Sequence, residues 1–166
     1  MTQSTRPPNR GNLKVDVESW NDLGTPIVLR TEGEGFPLTI IEGGDLQSGW
    51  LGLASIEIDA DGHIQSGQVT MNKSILDDYT TATAEHVLCQ EIGHLLGLEH
   101  ERSRTDTCMN DCAEAPDFRA CLNLSHGTTP NAHDGETLSE VYAHAGDPPT
   151  PPCSAGVVIL HTFPEE

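Results

Sequence analysis

Basic residues are scarce in this chain. Eight Lys and Arg stand against 26 Asp and Glu, a net charge of −18, and Lys14 and Lys73 are its two lysines. A surface of that sign repels nucleic acid and anionic membrane, so neither is expected as a partner. The bland reading of the charge is a solubilising surface; the sharper one is life in high salt, where screening is strong. Aromatic residues are also few, 4% against 36% apolar residues overall. That suits a globular fold with a modest core. No apolar run approaches the roughly 18 residues that a membrane helix needs. The opening stretch MTQSTRPPNRG lacks the apolar segment of a signal peptide, so no targeting signal is expected in this chain.

The length, 166 residues, fits one domain. Five cysteines, Cys89, Cys108, Cys112, Cys121 and Cys153, are dense enough to suggest an oxidising, extracellular compartment. The Cys-x-x-x-Cys pair at 108 and 112 resembles half of a zinc finger. No second pair sits at finger-like spacing, so disulfides are expected instead. The odd count leaves one thiol over, and Cys153, in a Pro-rich tail, is the natural candidate.

Residues 1–12 read as a flexible arm, 13–146 as the folded domain and 147–166 as a Pro-rich tail whose VVILHTF segment can add an edge strand or belong to a neighbouring domain. Alternation of apolar and polar residues predicts a strand at LKVDVES (13–19). TPIVLRT (25–31) and PLTIIEG (37–43) are further strand candidates, with Gly33, Gly35, Gly43 and Gly44 as turns. Residues 50–72 read as a hairpin about Asp61-Gly62. The DADG run at 59–62 also suggests a structural calcium loop, but the further oxygen ligands and closing Glu of an EF-hand are missing.

Thr81 or Thr83 can cap a helix through about Leu96, with Leu88, Ile92, Leu95 and Leu96 as its buried stripe and Gly97 as its stop. Residues 101–132 have no clear periodicity and hold three cysteines. A second helix is expected over 133–146, capped by Asp134, buried through Leu138, Val141 and Tyr142, and stopped by Gly146. Strands, helix, irregular loop and helix predict an α+β fold with a small sheet on the first of these helices.

The chemistry concentrates in HVLCQEIGHLLGLEH (86–100). On a helix Gln90 and His94 face the same way, about 6 Å apart along the axis. Glu91, turned about 100° from Gln90, lies beside their common point and suits a general base next to a bound water. After the turn at Gly97, His100 can reach the same point from the other side. Such a set could hold a three-ligand zinc with an open fourth position, activating water against a peptide carbonyl. A lone histidine on a helix is usually structural. Two with Glu and Gly at this spacing are hard to obtain by chance.

QEIGHLLGLEH resembles the extended metzincin motif, His-Glu-x-x-His-x-x-Gly-x-x-His, with Gln90 in place of the first His. Met109, in CMND, resembles the Met-turn methionine beneath the metal, and its short distance from His100 is similar to that in matrixins and their bacterial relatives. GWLGLASIEI resembles the edge strand that binds extended substrate, which implies Gly52, Leu53 and Ala54 at the substrate. PNAHDGETLSEVYAH resembles the C-terminal helix of matrixin-like proteins, and bacterial matrixin-like sequences with a Cys-Gln-Glu start are similar at Cys89-Gln90-Glu91.

The resemblance covers roughly 13–146. It implies a zincin domain with a small, twisted, mostly parallel sheet packed on the active-site helix, and a C-terminal helix after the Met-turn. It also implies a secreted, monomeric zinc metalloprotease, a hydrolase acting on polypeptides, with Glu91 as the catalytic base and Gln90, His94 and His100 on the metal. The alternative is a catalytically degenerate protein of the same fold that binds peptides without cleaving them.

Gln90 has three readings. Its amide oxygen binds zinc, though more weakly than imidazole. Another histidine replaces it: His63, His133 or His86, the last about 12 Å along the axis from His94 and so poorly placed. Or the site is degenerate. The Met-turn position also implies that Cys108 approaches Cys89, a disulfide tying helix to floor, with Cys112–Cys121 as a local staple.

Overall fold

The computed structural model describes residues 13–30, 38–42, 49–113, 115–122, 127–143 and 157–161, with 38–42 and 157–161 described by their backbone. The arm at 1–12, the glycine turns at 33, 35, 43 and 44, Gly146 and Cys153 lie outside them. In chain order the elements are α1 (Leu13–Asn21), β1 (Leu38–Glu42), β2 (Gly52–Ile58), β3 (Ile64–Met71), α2 (Lys73–Leu76), α3 (Thr81–Leu95), α4 (Phe118–Leu122), α5 (Ala132–Val141) and β4 (Val157–His161).

The centre of this α+β fold is the antiparallel pair β2–β3 packed on α3. Alternation does the work: Gly52, Ala54 and Ile56 on β2 and Gly67, Val69 and Met71 on β3 are buried, while the residues between them are more exposed. The turn between them uses Gly62 at φ +90°, a left-handed conformation that glycine takes without strain. Asp59 Oδ1 accepts from the backbone N–H groups of Asp61 and His63 and closes the turn. The hairpin reading of 50–72 therefore holds.

The strand order is β1-β3-β2-β4. β1 pairs with β3 in parallel, and β2 pairs antiparallel with both β3 and β4. The expected mostly parallel sheet is not what forms. One flanking strand runs parallel, and the other two pairings are antiparallel. Nor is β2 an edge strand, because β4 covers its outer side.

Residues 13–19 form a helix, not the expected strand. Leu13, Val15 and Val17 alternate, but the segment docks through Asp16 and Trp20, four residues apart on one helical face and both buried. The Trp20 indole N–H donates to the Cys89 carbonyl at 3.3 Å, fixing α1 against α3. Residues 25–30 are not a strand either. Asn21 takes both backbone groups of Leu29, Oδ1 accepting its N–H and Nδ2 donating to its carbonyl, and so stands where a neighbouring strand would.

α3 is buried almost all round, with Leu88, Ile92 and Leu95 in the core as their spacing predicts and Leu96 buried just beyond its end. Its cap is Thr80, neither of the expected Thr81 and Thr83, and its side chain accepts from the Thr83 N–H. α5 runs from Ala132 to Val141, starting one residue before the expected 133 and ending short of 146, and its cap stands three residues before the expected Asp134. Asn131 is its cap, and Asp134 is the third helical residue of a capping box, accepting from the Asn131 N–H. Of its expected buried face, Leu138 is in the core, while Val141 is exposed. Two disulfides, Cys89–Cys108 and Cys112–Cys121, pair as expected. They fit an oxidising compartment. No helix among the described residues is long and apolar enough to cross a membrane.

Candidate metal centre

α3 ends in a Schellman turn. Leu96 is the cap residue, Gly97 takes φ +90°, the Gly97 N–H bonds the His94 carbonyl and the Leu98 N–H bonds the Gly93 carbonyl, each at 3.0 Å. The turn has a chemical consequence: it brings the Leu98 carbonyl to 2.7 Å from His94 Nδ1. A carbonyl only accepts, so Nδ1 carries the hydrogen and Nε2 keeps its lone pair. The chain then returns so that His100 Nε2 lies 3.2 Å from His94 Nε2, with the two rings edge to face. On its far side His100 Nδ1 faces the Asp111 carboxylate at 3.4 Å. A hydrogen on that nitrogen is favoured by the negative charge, which leaves the second Nε2 bare as well.

Two lone pairs therefore face each other in a mostly buried site. Neither can donate to the other, and the arrangement is satisfied by a shared cation. A tetrahedral zinc with Zn–N of about 2.0–2.1 Å sets its nitrogens roughly 3.3–3.4 Å apart, close to the observed separation. Burial pushes His94 down to about 4, against its ordinary 6.5, with the Leu98 carbonyl opposing and His100 adding to the fall. Burial lowers His100 as well, opposed by Asp111. Neutral imidazole is the form that binds metal.

Asp111 is the residue that sequence reasoning missed. Burial raises its carboxyl, but hydrogen bonds from the Arg102 guanidinium and the Ala113 N–H, with the charges of His100 and Arg102, bring it below its ordinary value. It orients His100 as an outer-shell carboxylate orients a metal-binding histidine. Its signal was present in CMND, two residues beyond Met109, but its partner Arg102 lies in a loop without periodicity.

Gln90 is fully buried. Its Nε2 donates to the Cys108 carbonyl at 3.0 Å, which fixes Oε1 as the other end of the amide. That oxygen is buried and has no hydrogen-bond partner among the described residues. An orphan acceptor on the same helical face as His94 fits a cation ligand, since leaving it unpaired costs about 1–3 kcal/mol.

The three histidines weighed as replacements are held elsewhere. His86 Nε2 donates to the Asn110 carbonyl at 2.8 Å, His63 lies beside Asp59 in the hairpin turn, and His133 Nδ1 is 3.7 Å from Glu101. No described contact brings any of them to the His94–His100 pair, so a replacement histidine gains no support. Asp59, Asp61 and His63 are the one group of three close metal-ligating side chains among the described residues. They are largely exposed, and the turn's own hydrogen bonds account for Asp59.

Glu91 is fully buried against the start of β2. A Cβ on Gly52 would come within 2.5 Å of Glu91 Oε1 and 2.8 Å of Val87 Cγ1. Only glycine lets the strand lie on that carboxylate. Met109 packs beneath the helix at Gly93, the residue before His94, where a Cβ would strike its sulfur. Its loop is held by the Met109 N–H to Thr107 Oγ1 at 3.0 Å, the Glu101 N–H to the Met109 carbonyl at 2.8 Å, and the Thr107 hydroxyl on Asp134. Gln90, Glu91 and His94 thus share α3, Gly97 turns its end, His100 meets His94, and Met109 packs beneath Gly93, with Gly52 against Glu91. Comparison with protein-family models, with curated proteins and with solved structures finds no match.

Proposed function

We propose that this chain is a zinc-dependent endopeptidase of matrixin-like metzincin type, acting outside the cell on extended polypeptides. The observation that carries the reading is the pair of Nε2 atoms, of buried His94 and half-buried His100, facing each other at 3.2 Å with both Nδ1 atoms engaged. His94 and His100 hold zinc, the Gln90 amide oxygen is the third ligand, and the Leu98 carbonyl and Asp111 keep the imidazoles in their binding tautomer. Bound zinc supplies a Lewis acid that polarises a carbonyl and makes water a nucleophile near neutral pH. Glu91 takes the proton from the attacking water and passes it to the leaving amine. Met109 shapes the floor, and the Cys89–Cys108 disulfide keeps that floor against the helix.

One observation favours the alternative, a peptide-binding protein without catalysis. The Gln90 amide nitrogen is tied to Cys108, a structural task that needs no metal. Zinc titration and a peptidase assay on wild type, Gln90→His and Glu91→Ala separate the two. The endopeptidase reading expects zinc-dependent cleavage in wild type, lost in Glu91→Ala with zinc still bound. Activity that arises only in Gln90→His would favour the binding protein.

A further inference from the structure

β2 has two sides. β3 takes one, and β4 takes the other, antiparallel, with Leu53 opposite His161, Ala54 opposite Leu160, Ser55 opposite Ile159, Ile56 opposite Val158 and Glu57 opposite Val157. A peptide that adds to a sheet does so through the free N–H and C=O row of an edge strand. On β2 that row is already in use, from the residue after Gly52 onward, and Gly52 is the residue lying on Glu91.

We propose that residues 157–161 are a resident strand in the peptide seat of this protein, so that the outer edge of β2 is a strand-docking surface capped by the chain's own tail. An extended polypeptide reaches the site only by displacing β4. The docking itself follows from the pairing; its consequence for cleavage rests on the endopeptidase reading above. The tether explains how five residue pairs compete well. Residues 142–156 join α5 to β4 in the same chain, and an intramolecular strand competes at an effective concentration on the order of millimolar. A free peptide must exceed that.

Amide hydrogen exchange on the wild-type chain gives the first test. Successive N–H groups on β2 point to opposite sides, so a capped β2 protects all its amides from 53 to 57. Fast exchange at alternate positions overturns the proposal. Protection that falls on dilution assigns the strand to a second copy and overturns it also.

The second test uses the full chain with Ile159→Pro/Leu160→Pro. One of two adjacent N–H groups must face β2, so the pair removes a bond whichever way β4 is phased. The expected result is loss of protection on alternate β2 amides, with α3 amides unchanged. A labelled synthetic peptide of sequence GVVILHT should bind this variant about tenfold or more tighter than wild type. Equal affinity overturns the proposal. Neither readout uses catalysis, so a failure of the peptidase reading leaves both results interpretable. If wild type cleaves peptides, the variant should do so with a lower KM.

Discussion

Gln90 does two things with one side chain. Its nitrogen ties α3 to the Cys108 carbonyl, and its buried oxygen, without a hydrogen-bond partner among the described residues, is the proposed zinc ligand. Gln90→His exchanges an amide oxygen for imidazole, the better zinc ligand. Zinc affinity, measured by competition with a chelator, should rise about tenfold or more, about 1.4 kcal/mol. Unchanged affinity would show that position 90 does not reach the metal. Gly52 makes a second case. Gly52→Ala forces a methyl group onto the Glu91 carboxylate and Val87, and overpacking of this kind costs about 1–3 kcal/mol. Denaturant unfolding should show that loss, and activity should fall further than stability. His86 gives a pH signature. Burial pushes it down to about 4 from 6.5, although Asn110 and Asp111 oppose this. Between those values the unfolded chain takes up a proton that the folded chain refuses. Its contribution is complete above about pH 6.5 and drains away as pH falls through 4, a loss on the order of 3 kcal/mol. His86→Gln should flatten that part of the stability–pH curve.

The α3–floor unit and its docking on α1 behave as one assembly. Cys89–Cys108 joins positions 19 apart in sequence, and closing a loop of that size contributes about 3 kcal/mol. Cys89→Ala/Cys108→Ala should lower unfolding stability by about that amount and weaken zinc binding, because Gln90 and Met109 both lean on the same loop. Normal zinc affinity in that variant would leave the disulfide with stability alone. On α1, Asp16 is buried with no hydrogen-bond partner for Oδ2 among the described residues. Burial, then repulsion from Glu85, raises its carboxyl to about 7. The folded chain keeps a proton that the unfolded chain sheds above 3.8. The stability this gives is complete below about pH 3.8 and is lost as pH rises through 7. Asp16→Asn should therefore gain on wild type at pH 8 more than at pH 5, by thermal unfolding. This is opposite in sign to His86.

Across the molecule, what the sequence made legible followed physical distance. Gln90, Glu91, His94 and Gly97 sit on one helix and its turn, so helical period and glycine conformation suffice to bring them together. The β2–β3 hairpin was readable from alternation and Asp61-Gly62 for the same local reason. α1 was not, because its three alternating apolar residues fit a strand as well as a helix, and the deciding contact, Trp20 on Cys89, is long-range. Asp111 and its Arg102 partner were hidden in a loop with no period, and the capping of β2 by β4 depends on a pairing across some hundred residues. The charge is a property of the whole surface. At −18, self-repulsion weakens as salt shortens the Debye length from about 10 Å at 0.1 M to about 3 Å at 1 M. The melting temperature should rise over that range of sodium chloride.

The most direct test is cleavage of an unfolded polypeptide by wild type and Glu91→Ala, each brought to the same bound zinc. A zinc-loaded wild type that cleaves, beside a zinc-loaded Glu91→Ala that does not, is the expected result. Equal rates from the two proteins, or zinc that stays bound after His94→Ala/His100→Ala, would contradict a peptidase built on this pair of histidines.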